Sequence, residues 1–158
     1  MAEGTPAAHE VYDRLFVGPW MPAANKGWLE ENKITHVVSM TPDHPPLDDL
    51  DGISTHHFPI EDSVDADLSS VLTTATTTIR TSLHSSPDAR VLLHCNAGQS
   101  RSGAVALWYM VEEGMSLKDA YERAKGIREN IEPNIGFWKT LIQLEVEKRG
   151  VASVDAHD

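Results

Sequence analysis

Cysteine is almost absent from this 158-residue chain; there is one, Cys95. An internal disulfide framework is therefore excluded. Long apolar runs are missing too. No stretch reaches the ~18 consecutive apolar residues that a bilayer-crossing helix needs. The opening Met-Ala-Glu-Gly-Thr-Pro has neither the basic nor the apolar region of a secretion signal. Cations are scarce: 13 Lys and Arg stand against 24 Asp and Glu, for a formal net charge of −11. Such a surface repels polyanions, so neither nucleic acid nor membrane is an expected partner. A cytoplasmic, reducing compartment is the expected location. The histidines show no ligand spacing with carboxylates or with Cys95, and no metal or other cofactor is expected.

What remains is enough for one domain. A hydrophobic share of 41% argues against a wholly disordered chain. We expect a flexible lead over residues 1–10, a domain over residues 11–149 and a flexible acidic tail over residues 150–158. Strands are predicted at Leu15–Val17, Thr35–Met40, Thr55–Pro59 and Arg90–His94. Helices are predicted at Ala24–Asn32, Leu68–Ser85, Ser102–Glu113, Leu117–Arg128 and Asn134–Lys148. In the Thr-rich segment, Leu68, Val71, Leu72, Ala75, Ile79 and Leu83 recur at helical spacing, so packing outweighs the poor helix propensity of threonine. Asp67 suits an N-cap there, and Ser116 with Asp119 suits another. The 102–113 segment is apolar on every side, as in a central helix. Leu117, Ala120, Tyr121, Ala124 and Ile127 form the buried stripe of the next. Alternating strands and helices predict an α/β domain: a mostly parallel sheet of about five strands, covered by helices.

The lone cysteine lies in His94-Cys95-Asn96-Ala97-Gly98-Gln99-Ser100-Arg101-Ser102-Gly103, between the apolar strand Val91-Leu92-Leu93 and the apolar helix. A short loop entering a helix forms a cup whose amides and helix dipole suit an anion. Arg101 adds a planar fork for two phosphate oxygens. Cys95 sits at the floor, where positive surroundings favour a thiolate nucleophile. The alternative, a buried structural cysteine, does not explain the polar run that follows it. A phosphate ester also needs a proton for its leaving oxygen, and Asp62, Asp65 and Asp67 are the nearby candidates. Asp62 follows the strand most closely, Asp65 is its rival, and Asp67 is occupied as a cap.

This string resembles the phosphate loop of the cysteine-dependent protein tyrosine phosphatases, most closely the dual-specificity phosphatases. Tyr12-Asp13-Arg14-Leu15-Phe16-Val17-Gly18 and Ile34-Thr35-His36-Val37-Val38-Ser39 look like that domain's first strands. Pro59-Ile60-Glu61-Asp62-Ser63 looks like its acid loop, and Ile131-Glu132-Pro133-Asn134-Ile135-Gly136-Phe137 like the entrance to its last helix. The resemblance spans about residues 11 to 149. It implies catalytic roles for Cys95, Arg101, Asp62 and Ser102, with phosphate held by Asn96, Ala97, Gly98, Gln99, Ser100 and Arg101. It gives His94 a supporting role at the thiolate and Asn134 one in bracing the phosphate loop. Gln is frequent in the family where this chain has Thr140.

The implied activity is hydrolysis of phosphotyrosine, with phosphoserine and phosphothreonine, in a phosphorylated protein substrate through a phosphocysteine. Phosphoinositide, RNA-end and glucan phosphatases use the same chemistry, and a non-catalytic phosphopeptide-binding module is a further alternative. Asn96, Ala97, Gln99 and Ser100 are neutral, and Asp48, Asp49, Asp51, Glu61, Asp62, Asp65 and Asp67 suggest an acidic rim, which disfavours polyanionic substrates. The sequence is silent on oligomeric state.

Overall fold

The computed structural model describes residues 7–42 and 52–154. Asp48, Asp49 and Asp51 of the expected acidic rim lie outside the described residues. Five strands form one sheet: β1 (His9–Tyr12), β2 (Leu15–Gly18), β3 (His36–Ser39), β4 (Ser54–His57) and β5 (Val91–His94), in the order β1-β2-β5-β3-β4. β1 runs antiparallel to β2, and the remaining neighbours are parallel. The helices are α1 (Trp20–Ala23), α2 (Lys26–Glu31), α3 (Leu68–His84), α4 (Arg101–Glu112), α5 (Leu117–Ile127) and α6 (Ile135–Arg149). The α/β class and the mostly parallel five-stranded sheet are as expected.

The central strand β5 is buried at all four positions. Its unbroken apolar sequence is what a strand covered on both faces requires. Leu15, Val17, Val38, Val91 and Leu93 face the larger core, which contains α3, α4, α5 and α6. Phe16, Val37 and Leu92 point the other way, onto Ala23, Leu29 and Ile34. Alternation along each strand thus separates the two layers.

Helix α4 threads the larger core, with every residue from Arg101 to Val111 buried. In α3 the expected stripe is buried, with Val71 only partly covered. Asp67 accepts from the Ser70 amide and Ser116 from the Asp119 amide, as N-caps do. Arg14 closes the other end of α3, donating through Nη1 to the carbonyls of Leu83, Ser86 and Ala89 at 3.1, 3.0 and 3.0 Å. A cation there satisfies orphaned carbonyls at the negative end of the helix dipole.

Several expectations are corrected. The helix predicted over 24–32 forms as α2, capped where Asn25 accepts from the Trp28 amide, whereas the short α1 just before it was not predicted. β1 was not among the predicted strands; His9 and Glu10 pair with Val17 and Phe16 inside the expected lead. Within the expected tail, Ser153 donates its amide and hydroxyl to Glu145 and Val154 packs on the core. Ile127 was assigned to a buried stripe, yet it is 42% exposed where α5 ends.

Candidate active site

Three parallel strands end in register: Gly18 of β2 and Ser39 of β3 both pair with His94 of β5. Cys95 is the next residue, so the loop 95–100 emerges at the carboxyl edge of the sheet's central strand. Ligand crevices of open α/β sheets form at that edge. A cavity of about 300 Å³ lies there, lined by Glu61, Asp62, Cys95, Asn96, Ala97, Gln99, Ser100 and Arg101.

The loop's carbonyls are drawn away from this cavity. Asn96 O accepts from the Trp20 amide at 3.3 Å, Gln99 O from the Glu132 amide at 3.1 Å and Ser100 O from the Ala104 amide at 2.9 Å. Ala97 O and Gly98 O accept from Nη2 and Nε of Arg128, at 3.0 and 2.8 Å. Among the described residues, the amides of Asn96 to Ser100 donate to no protein acceptor. Carbonyls bound outside and amides left over inside make an anion-binding nest. Gly98 permits the bend, with φ of 64°, and a Cβ there would strike Arg128 and the Gly18 carbonyl.

Cys95 is buried, and its Sγ lies 3.1 Å from Ser102 Oγ and 3.5 Å from the Ser102 amide, in the first turn of α4. Ser102 is therefore inside the helix, not its cap; the N-cap position belongs to Ser100, whose hydroxyl accepts from the Asn134 amide at 2.9 Å. Arg101 is buried, with Nη1 donating to Ile60 O at 2.9 Å and Nε finding no partner among the described residues. A buried, unpaired guanidinium N–H beside a nest of amides is costly unless an anion completes it. His94 is buried at the end of β5.

Asp62 lines the cavity and Asp65 does not. Asp67 is held at the start of α3, where it also accepts from Ser69 Oγ at 2.7 Å. Asn134 caps α6 by accepting from the Phe137 amide at 2.9 Å, and its Nδ2 donates to Asp62 Oδ1 at 2.9 Å. Its expected contact with the phosphate loop is made by the main chain alone, through Ser100. Gly136 lets the acid loop lie close, because a Cβ there would run into the Val64 carbonyl. Thr140, at the position of the family's Gln, spends its hydroxyl on the Gly136 carbonyl. Among the described residues no group of His, Cys, Asp and Glu is arranged to hold a metal ion, and no helix is long and apolar enough to cross a membrane.

Two residues outside the expected set hold the cup. Arg128 reaches the loop from the end of α5 and also donates through Nη1 to Ala7 O at 2.6 Å and to His9 Nδ1 at 2.8 Å. Burial lowers its proton affinity, while the charge of Cys95 acts in the opposite direction. Burial and the Arg128 charge push His9 down, keeping its ring neutral as an acceptor. Glu132 fixes the turn before Asn134, accepting from Tyr121 Oη at 2.5 Å, Trp138 Nε1 at 2.7 Å and Lys125 Nζ at 3.3 Å. Burial would raise the Glu132 carboxyl, but these donors hold it below the ordinary value. Arg128 is not signalled by sequence, since a charged residue near a helix end is read as solvated; Glu132 stands inside the helix-entrance motif, but nothing local shows the three donors it gathers.

Residues 15–147 match the family described as dual specificity phosphatase, catalytic domain. Dual specificity protein phosphatase 18 of Mus musculus is 32% identical over 154 residues, covering 94% of this chain and 78% of that protein. Dual specificity protein phosphatase 21 of Homo sapiens is 34% identical over 132 residues, covering 83% and 68%. The crystal structure of human DUSP28 superposes with a TM-score of 0.83 at 26% identity, covering 96% of this chain and 100% of that one. With a cysteine, an arginine and a nest of amides gathered at one cavity, the chain belongs to the dual specificity phosphatase family, the cysteine-dependent hydrolases that dephosphorylate phosphotyrosine and phosphoserine or phosphothreonine in proteins.

Proposed function

We propose that Cys95 is the nucleophile of a two-step phosphomonoester hydrolysis and that Arg101 with the amides of Asn96 to Ser100 holds the phosphoryl oxygens. The observation that carries this reading is the loop itself. Its carbonyls are bound from outside and, among the described residues, its amides are unspent and the buried Arg101 Nε beside them lacks a partner. Such preorganised donors stabilise charge on the equatorial oxygens without reorganising during reaction.

In the first step the Cys95 thiolate attacks phosphorus. The bond to the leaving oxygen breaks, and Asp62 delivers its proton to that oxygen. In the second step Asp62, now a carboxylate, takes a proton from water as the water attacks the phosphocysteine. The sulfur departs as thiolate, and Ser102 Oγ, 3.1 Å away, donates a hydrogen bond to it. His94 supports the sulfur from the preceding position, and Asn134 holds the acid loop. Work on phosphorylated proteins in the cytoplasm fits a thiolate that needs reducing conditions.

The test is turnover of phosphotyrosine and phosphothreonine peptides against a phosphoinositide and a phosphorylated glucan, with a mass shift of one phosphoryl group on Cys95 after rapid acid quench. Peptide turnover with labelled Cys95 is expected. Binding of phosphopeptides without turnover would leave a recognition module instead.

A further inference from the structure

Beside the cup lies a second, larger hollow of about 640 Å³, lined by Ala7, His9, Pro19, Trp20, Met21, Asn96, Ala97, Ile127, Arg128, Glu129 and Asn130. It shares Asn96 and Ala97 with the catalytic cavity, so the two hollows adjoin along the loop. Its apolar content is unusual for this surface. Trp20, Met21 and Ile127 are 38%, 42% and 42% exposed, among only seven large apolar side chains left exposed in the described residues. Two more of the seven, Val64 and Ile135, lie on the acid loop and beside Asn134. Exposed apolar side chains gathered at one place mark a surface that is covered in use.

The hollow's polar groups disfavour an anion. Arg128, its only Lys or Arg, has four of its five N–H groups committed to Ala7, Ala97, Gly98 and His9. Glu129 adds a carboxylate to the lining.

We infer that this hollow is a specificity subsite that receives an apolar side chain of the substrate polypeptide adjacent to its phosphorylated residue. The inference rests on phosphorylated protein as the substrate. Trp20 and Met21 stand on α1, directly after the β2 strand that borders the loop, and Ile127 ends α5 across from them. A leucine-sized side chain entering between them is partly withdrawn from water.

The experiment uses two short phosphotyrosine peptides that differ only in carrying leucine or aspartate on both sides of the phosphotyrosine. A third peptide carries a second phosphate at the same neighbouring positions. The leucine peptide is expected to show a kcat/KM about tenfold or more above the aspartate peptide, with the difference in KM, as partial burial of one aliphatic side chain implies. Trp20→Ala with Met21→Ala should bring the two peptides to within about twofold of each other. Trp20→Phe should preserve the preference. Equal or faster turnover of the aspartate or doubly phosphorylated peptide would overturn the subsite while leaving the phosphatase assignment intact. Hydrolysis of a small aryl phosphate without turnover of any peptide would overturn both.

Discussion

Asn134 Nδ2 donates to Asp62 Oδ1 at 2.9 Å, while its Oδ1 accepts the Phe137 amide that starts α6. One side chain thus couples the acid loop to the helix whose entrance touches Ser100 of the phosphate loop. Asp62→Ala should lower turnover of substrates with poor leaving groups by roughly 10²–10⁴-fold and spare those whose leaving group needs no proton. If Asp65→Ala shows this pattern and Asp62→Ala does not, Asp65 is the acid.

Asn134 itself separates two roles. Asn134→Ala removes both bonds, at a cost of about 1 kcal/mol in stability for the cap. Asn134→Asp keeps the cap but sets a carboxylate against Asp62. We expect near wild-type thermal unfolding for the aspartate variant, together with a loss in kcat for poor leaving groups of about tenfold. A variant that loses stability and no rate would show that the Asp62 contact has no bearing on proton transfer.

Ser102 Oγ contacts the Cys95 sulfur, which in the proposed mechanism leaves in the second step. Ser102→Ala should therefore slow breakdown of the phosphocysteine more than its formation. The measurement is a pre-steady-state burst of product approaching one equivalent of enzyme, followed by a slow steady rate. Cys95→Ser should show neither burst nor turnover and still bind tungstate. Retained turnover there would eliminate the covalent mechanism.

Arg128 anchors two carbonyls of the cup from behind. Arg128→Leu leaves Gly98 O without that donor and Ala97 O with only the long 3.4 Å bond from Asn130 Nδ2, and frees the amides they orient. Affinity for inorganic tungstate, read by calorimetry, should fall about tenfold or more, and kcat/KM with it. Arg128→Lys should recover little, because one ammonium cannot reproduce a fork that reaches Ala97, Gly98 and Ala7 together. Unchanged anion affinity in both variants would show that the loop holds its shape alone.

Glu145 of α6 is fully buried and accepts from the Leu117 amide at 2.8 Å, from the amide and hydroxyl of Ser153 and from Arg149 at 2.9 Å. Burial alone would raise its carboxyl, but the backbone and side-chain donors hold it below the ordinary 4.5. A carboxyl lowered in the folded state stabilises above its unfolded value, and that contribution is lost as pH falls through the folded value. Glu145→Ala should cost about 2–4 kcal/mol near neutrality, since four donors lose a charged acceptor. Its stability should also depend less on pH below about 4.5 than the wild type's, which acid-denaturation curves will read.

The local information in this chain was enough for much of the fold and for the centre of the site. Periodicity in Leu68 to Leu83, the unbroken apolar runs of β5 and α4, and caps at Asp67 and Ser116 are properties of neighbouring residues, and those elements form where they were expected. The Cys95-to-Ser102 string is equally local, because the cup is one loop between a strand and a helix. Residues acting over long separations were decided by tertiary structure alone. Arg128 is some thirty residues from the carbonyls it holds, Asp62 meets Asn134 across 72 positions, and Glu145 closes the start of α5 from 28 residues away. No spacing rule announces such bonds, since they arise only once packing of the larger core brings α5, α6 and the loops together. The same holds for Ile127: its periodicity predicted burial, but α5 ends there and leaves nothing above it except the hollow beside the cup.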